Sequence, residues 1–437
     1  MPGPSRVRGR VLAFAFLLTV ITYLDRVCIS AAAPFIMNDL HISFLQMSTA
    51  FSAFTLAYSL FEVPSGWLGD VRGPRRVLTR IVLWWSAFTM LTGAARGLPS
   101  LLTIRFLFGA GEAGAFPNLM RSFAQWFPIR ERGKASGIMF LGSRVGGMLS
   151  APIALFLIGR LGWRTSFAAF GVVGLLWAVA WATWYRDRPS QHSGVNAEEL
   201  AWIEQDGMFA AHSSDTPWGT LLTTRSVWAI CAMYAAYGYG LYFYLTWLPT
   251  FLIRELGFSA LSGGLFASLP FLLAGLANVA GGWLTDHLAR TSGLRVARCG
   301  LGCAAFLTTA ALLWGSTLAV PAAGKAVLLA CALGSVDLAL SACWAAPLDV
   351  APTHAGVVTG LMNTFGNLGG LVCPIVVGWA VDRLHSWTLP FHIAALVYVA
   401  GALAWLAVDP RQRIVTEPAA RTSRQASGGP RNDRGSR

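Results

Sequence analysis

The sequence predicts an all-α membrane protein with twelve transmembrane helices arranged as two pseudo-symmetric six-helix halves. Three observations carry this prediction: an apolar composition, twelve apolar runs of membrane-spanning length, and one short motif that occurs in both halves. The chain has 437 residues, 55% hydrophobic and only 12% charged, whereas soluble domains carry about 25% charged residues. Mean hydropathy is +0.55. A water-soluble fold of this size cannot hide so much apolar surface, which excludes an ordinary cytosolic enzyme, a disordered chain and a secreted disulfide scaffold.

The apolar runs fall at 11–33, 44–68, 77–96, 99–125, 133–158, 163–185, 226–253, 262–288, 296–317, 324–347, 355–381 and 389–408. Each can cross a hydrocarbon core of about 30 Å as a helix, which satisfies its own backbone groups in lipid. The first run follows Arg6, Arg8 and Arg10 and ends near a run of alanines, like a secretory leader. It is too long for one, and it contains Asp25 and Arg26, which suits a retained helix better. The longest polar stretch, 186–225, separates the two sets of six. The resulting layout is an N-terminal half over 1–188, a cytoplasmic linker over 189–225, a C-terminal half over 226–408 and a disordered cytoplasmic tail over 409–437. The seven cysteines lie in or beside apolar runs with no Cys-x-x-Cys pair, and read as small buried hydrophobes.

The net charge of +13 invites a nucleic-acid reading, which the placement of the charges removes. Of 33 Lys and Arg residues, 23 fall in the N-terminal arm, the tail and the loops that share their side; six fall on the other side. The remaining four, Arg26, Arg105, Arg121 and Arg144, lie within runs. The positive-inside rule then places both termini in the cytoplasm. A short first loop and a lack of Asn-x-Ser/Thr sites favour a bacterial inner membrane over a glycosylated vesicle.

The sequence Gly66-Trp-Leu-Gly-Asp70 ends the second run, and Gly282-Trp-Leu-Thr-Asp286 ends the eighth, 216 residues later, each followed by arginines. Two halves bearing matching marks are a transporter signature. The stretch from Gly66 through Asp70, Arg72, Arg75 and Arg76 resembles the loop 2–3 motif of the major facilitator superfamily. Within that superfamily the chain resembles the anion:cation symporter family, which includes galactonate, glucarate and hexuronate carriers and sialin. The stretches that carry this are Tyr23-Leu-Asp-Arg26, Tyr58-Ser-Leu-Phe-Glu-Val-Pro-Ser-Gly-Trp67, Arg105-Phe-Leu-Phe-Gly-Ala-Gly-Glu112-Ala-Gly-Ala-Phe-Pro-Asn118, Thr246-Trp-Leu-Pro249 and Asn363-Thr-Phe-Gly-Asn-Leu-Gly-Gly370.

Charged residues at membrane depth are costly and are functional candidates by default. Asp25 and Arg26 are neighbours, and successive helical residues point about 100° apart. Asp25 can therefore take a proton while Arg26 faces an anion; the structural alternative is a local ion pair. Arg105 and Glu112 are seven residues apart and project from one helix face, too far along the axis to pair with each other. Arg105 is expected to reach Asp25 on another helix, leaving Glu112 to titrate alone. The resemblance implies proton coupling at Asp25 and Glu112 with Arg105 tuning them. Desolvation disfavours a carboxylate and a nearby arginine favours it, so such a site can switch protonation as water access changes.

Arg26 is the first choice for a substrate carboxylate, because a guanidinium donates two parallel hydrogen bonds. Arg144 stands where the sugar-acid carriers of the family tend to have Gln. It is either a cation for a second anionic group or the structural partner of a carboxylate. Family position adds Tyr23, Tyr58, Ser341, Trp344, Asn363 and Asn367 as substrate contacts, each equally explicable as helix packing. The aromatic cluster Tyr237, Tyr242, Tyr244 and Trp247 reads as core or interfacial packing, with closure of one ring over the substrate as the alternative. The family implies that Asp70, with Arg72, Arg75 and Arg76, braces the inward-closed state, and Glu62 is expected in the same network. Asp349 is expected at a cytoplasmic helix end, and Asp337 has no assigned role. His192 and His212 in the linker read as solvated.

Together these readings predict a monomeric, proton-coupled symporter of a small organic anion that needs no cofactor or metal. The alternatives are a drug antiporter of the same fold, for which Gly142-Ser-Arg-Val-Gly-Gly147 is a poor match, and a membrane enzyme, for which there is no catalytic motif.

Overall fold

The computed structural model describes residues 5–204 and 218–411, apart from the side chains of residues 70, 129, 130, 353 and 355. The side chain of Asp70, residues 205–217 with His212, and the tail from 412 thus lie outside the described residues. The twelve apolar runs become twelve membrane-spanning passes. They are α1 (Val7–Leu40), α2 (Phe44–Arg72), α3 (Pro74–Thr92), α4 (Leu98–Glu112 continued by Ala115–Trp126), α5 (129–161) and α6 (163–184). The second half has α7 (Arg225–Thr246, extended through Glu255), α8 (Ala260–Thr291), α9 (Val296–Gly315), α10 (Ala322–Leu338 and Leu340–Val350), α11 (Ala355–Leu384) and α12 (Thr388–Ala407).

Among the described residues, seven helices are by themselves long and apolar enough to cross a membrane. The longest continuous one, 129–184, makes two passes because Gly162 (φ 74°, ψ 161°) breaks it. That left-handed φ needs glycine. The fourth run is also interrupted: Ala113 turns extended and Gly114 takes φ 87°, so Glu112 is the last residue of a helical segment at mid-depth. A short linker helix, Ala197–Glu204, ties the N-terminus down. Its buried Glu199 accepts hydrogen bonds from the backbone N–H groups of Val7 (3.1 Å) and Arg8 (3.0 Å) at the start of α1, which suits the positive end of a helix.

Within the first half α1 packs along α5 and α6, α3 along α6, and α2 along α4; within the second, α7 packs along α11, α8 along α10, and α9 along α12. The halves meet through α2 against α11 and α5 against α8. On the face opposite the termini they are closed. The Asp382 carboxylate at the end of α11 accepts from the Phe44 N–H (3.1 Å) and Leu45 N–H (2.7 Å) in the first turn of α2. Arg254 donates to the Pro34 carbonyl at 2.9 Å. Trp247 of α7 packs against Phe44 and Phe51 of α2. Toward the face of the termini the halves diverge around a cavity.

Asp382 is thus a helix cap supplied by the other half, and it is made only while this face is shut. Capping hydrogen bonds are worth about 1–2 kcal/mol. In Asp382→Ala, which removes the acceptor, spin labels at Arg96 and Leu318, on loops of the two halves at this face, should report a larger share of long distances; an unchanged distribution would mean the cap does not hold the face closed.

Candidate functional site

The cavity has a volume of about 630 Å³. Its wall runs from mid-depth residues of α1, α2 and α7 to the ends of α4, α10 and α11 that lie toward the termini, so it opens to that face. Tyr23, Tyr58, Phe140, Tyr234, Tyr237, Tyr242 and Trp344 give it an aromatic lining, with the amides of Asn363 and Asn367 between them. Among the described residues, Arg26 and Glu62 are the charged groups on the wall.

Arg26 is the centre of this site. Its Nε and Nη2 both donate to Glu112 Oε1, with the Nε contact at 3.1 Å. Glu112 is 1% exposed and its second oxygen has no partner. The guanidinium lies 5.3 Å from the Tyr23 ring, 4.9 Å from Tyr58 and 5.0 Å from Phe54, a cation–π cage that holds its plane. The expectation that Glu112 stands alone is therefore corrected: the break after Glu112 brings its carboxylate onto Arg26 of α1.

The companion expectation is corrected too. Arg105 makes no ion pair with Asp25. Its guanidinium lies 4.5 Å from the Phe108 ring and 5.0 Å from Phe54, which takes up its flat faces. Asp25 is 2% exposed, and its carboxyl faces the Trp85 indole, whose N–H is not placed for a hydrogen bond of normal geometry. Buried polar groups are nearly always paired, so a carboxyl held this loosely beside the Arg26–Glu112 pair is an exception that calls for a functional role.

Arg144 is not on the cavity wall. It donates to the Tyr237 hydroxyl (2.8 Å) and pairs with Asp337 (2.7 Å), while Tyr237 donates to the other Asp337 oxygen (2.9 Å). Of the two readings of Arg144, this geometry matches the partner of a carboxylate, and it gives Asp337 a place. The triad bridges the halves at mid-depth, α5 on one side and α7 and α10 on the other. Reading the α7 aromatics as core misses that Tyr234, Tyr237 and Tyr242 line the cavity; their spacing along one helix face was the available signal.

Glu62 accepts from the Asn363 amide at 3.1 and 3.2 Å across the halves, at the cavity wall rather than among the loop arginines. Trp344 lies beside Phe140 at 5.6 Å, and Asn367 lies 3.4 Å from the Tyr242 hydroxyl. Ser341 does not line the cavity and faces Gly282 of α8. In the loop motif, Arg75 donates to the Ala182 carbonyl and its backbone N–H to Asp187, while Arg72 and Arg76 are exposed. In the second half, Arg298 pairs with Asp349 at 2.7 Å, at the end of α10 toward the termini. His192 is wedged against Trp184 and Trp126; partial burial and the charges of Arg186 and Arg10 hold its imidazole below the usual range.

The comparisons with known proteins agree with this architecture. The sequence profile of the Major Facilitator Superfamily matches residues 15–372. The chain is 36% identical over 412 residues to the probable sulfoacetate transporter of Cupriavidus necator, covering 93% of this chain and 94% of the relative. It is 30% identical to the hexuronate transporter of Bacillus subtilis (92% and 94% covered). It is also 30% identical to the probable L-galactonate transporter of Escherichia coli (93% and 92%). The fold superposes on a bacterial homologue of the human lysosomal transporter Spinster, solved inward-facing and occupied, with TM-score 0.73 at 18% identity over 93% of this chain and 95% of that one. The chain belongs to the major facilitator superfamily, among relatives named as transporters of sugar acids and other organic anions.

Proposed function

We propose that the protein is a proton-coupled symporter that carries a small organic anion, a sugar acid or other carboxylate, into the cytoplasm of a bacterial cell by alternating access. The single observation that carries this reading is Arg26: a guanidinium on the cavity wall whose hydrogen-bonding fork is already taken by Glu112. An anion and the ionised Glu112 compete for the same donors. Protonating Glu112 removes its charge and releases the fork, so anion and proton load together. Releasing the proton restores the Arg26–Glu112 pair and expels the anion. The positive-inside rule makes the face of the termini, to which the cavity opens, the cytoplasmic one.

Asp25 fits a second protonation site. It is buried one residue before Arg26, with only a weak approach from the Trp85 indole to hold it as an anion. Arg105 lies within electrostatic reach of Asp25 and Glu112, a cation placed to tune both. Tyr23, Tyr58, Trp344 and Asn367 surround the remainder of the substrate, and Asn363 with Glu62 fastens the two halves at the wall. The relatives named for sulfoacetate, hexuronate and galactonate support an anion as cargo.

Two outcomes test the mechanism in reconstituted vesicles, with sulfoacetate, glucuronate and galactonate as the panel. In Glu112→Gln the fork is permanently released, so anion binding should persist and lose its dependence on pH. Exchange of labelled for unlabelled anion should continue in this variant, and accumulation driven by a pH gradient should vanish. In Asp25→Asn gradient-driven uptake should likewise fall to background while some exchange remains. Undiminished gradient-driven uptake by either variant contradicts its assignment, and wild-type transport only of neutral or cationic compounds contradicts the anion reading.

A further inference from the structure

Arg26 is not the only arginine in this protein whose charge is held by a carboxyl. Arg144 is 7% exposed and Asp337 fully buried, and Tyr237, which bonds to both, is part of the cavity wall. We propose that the Tyr237 hydroxyl, backed by Arg144 and gated by Asp337, is a second anion subsite, so that the carrier is built for substrates with two anionic groups. This rests on the reading of the cavity as an organic-anion site.

The hydrogen-bond inventory carries the argument. A phenol has one proton to donate. Here Tyr237 accepts from Arg144 Nη2 and spends its proton on Asp337 Oδ1. With Asp337 ionised, the Arg144–Asp337 pair is neutral and nothing on Tyr237 can greet an anion in the cavity. A proton added to Asp337 changes both facts at once. The guanidinium charge behind Tyr237 is then uncompensated. The Asp337 O–H can donate back to the Tyr237 oxygen, and the tyrosine O–H is free to turn into the cavity toward an anionic group. The proton enters at Asp337 and stays there; only hydrogen bonds are exchanged. Arg144 Nη1 is buried with no partner, one donor more than a purely structural pair needs.

The surroundings favour such a switch. Arg144 is the charged group facing Asp337. The other titratable groups near the pair are Tyr23 from α1, Tyr234, Tyr237 and Tyr244 from α7, Tyr398 from α12 and Cys343 on α10 itself. The charged and titratable residues of α8, Asp286, His287 and Arg290, lie at its far end toward the termini. The Tyr237 ring is fixed by stacking on Tyr234 at 5.1 Å and 19°. Tyr23 stands between the two subsites, its ring under Arg26 and its Cβ beside Gly146, two residues from Arg144.

Gluconate and glucarate test this directly, because both are open-chain C1 carboxylates that differ only in whether C6 is an alcohol or a second carboxylate. Calorimetric titration of the full-length protein at acid pH should give tighter binding of glucarate by about tenfold or more, the worth of a hydrogen bond to a charged group. Tyr237→Phe keeps the ring and removes the donor; it should abolish the preference for glucarate over gluconate, weakening glucarate far more than gluconate. Asp337→Asn should keep the preference for glucarate at alkaline pH, where the wild type loses it. If the wild type binds gluconate with no gain from the second carboxylate, or Tyr237→Phe weakens both ligands equally, the inference is overturned while the anion reading stands. Sulfoacetate against sulfoacetamide repeats the comparison on a smaller frame. If no member of either pair binds, the anion reading falls and this inference with it.

Discussion

A guanidinium at mid-depth in a bilayer is costly unless its charge is compensated; Arg105 lies against ring faces, whereas Arg26 is given a carboxylate, and the architecture around it follows from that pairing. Removing one partner of a buried ion pair costs about 3–5 kcal/mol, because the other charge is left unpaired. Glu112 supplies that partner for the cation of the cavity wall. On the proposed proton-coupled reading, Arg26 is released when a proton neutralises Glu112 and an anion takes its place on the guanidinium, so that the charge of the site stays balanced. Coupling then needs no long-range signal, because proton and anion act on opposite sides of one hydrogen-bonded pair.

The rest of the fold serves that pair. The break at Ala113–Gly114 ends a helix at Glu112, and the cage of Tyr23, Tyr58 and Phe54 fixes the plane of Arg26. Closure of one face by Asp382, Arg254 and Trp247 leaves the opposite side as the route to the cavity. The bridging triad of Arg144, Tyr237 and Asp337 sits at the depth where the closed and open regions meet. An ion pair joining the halves at that level is where a rocking motion displaces atoms least.

Much of the fold was legible in the sequence, because lipid imposes a simple rule on it. Apolar runs of helical length, the sorting of Arg by side and the repeated Gly-Trp-Leu-x-Asp mark fixed the twelve passes and the two halves. The candidate residues were legible as well, since charges within apolar runs stand out. Their pairings were not. Arg26 and Glu112 are 86 residues apart, and which faces of α1 and α4 meet is set by packing and by a helix break with no unique sequence mark. For the same reason Arg105, expected on Asp25, turns to Phe54 and Phe108. Tyr237 was hidden differently: in a run as aromatic as α7, a cavity-lining tyrosine looks like any core ring until its hydroxyl is seen between Arg144 and Asp337.

The central claim is that an anion and the Glu112 carboxylate compete for Arg26, so that binding the anion takes up a proton. Calorimetric titration with a transported anion, repeated in buffers of different ionisation enthalpy, measures that uptake without any membrane gradient. Uptake of about one proton at Glu112 per anion bound is expected at neutral pH, lost in Glu112→Gln while binding itself remains. Anion binding by the wild type with no proton uptake at any pH would contradict it.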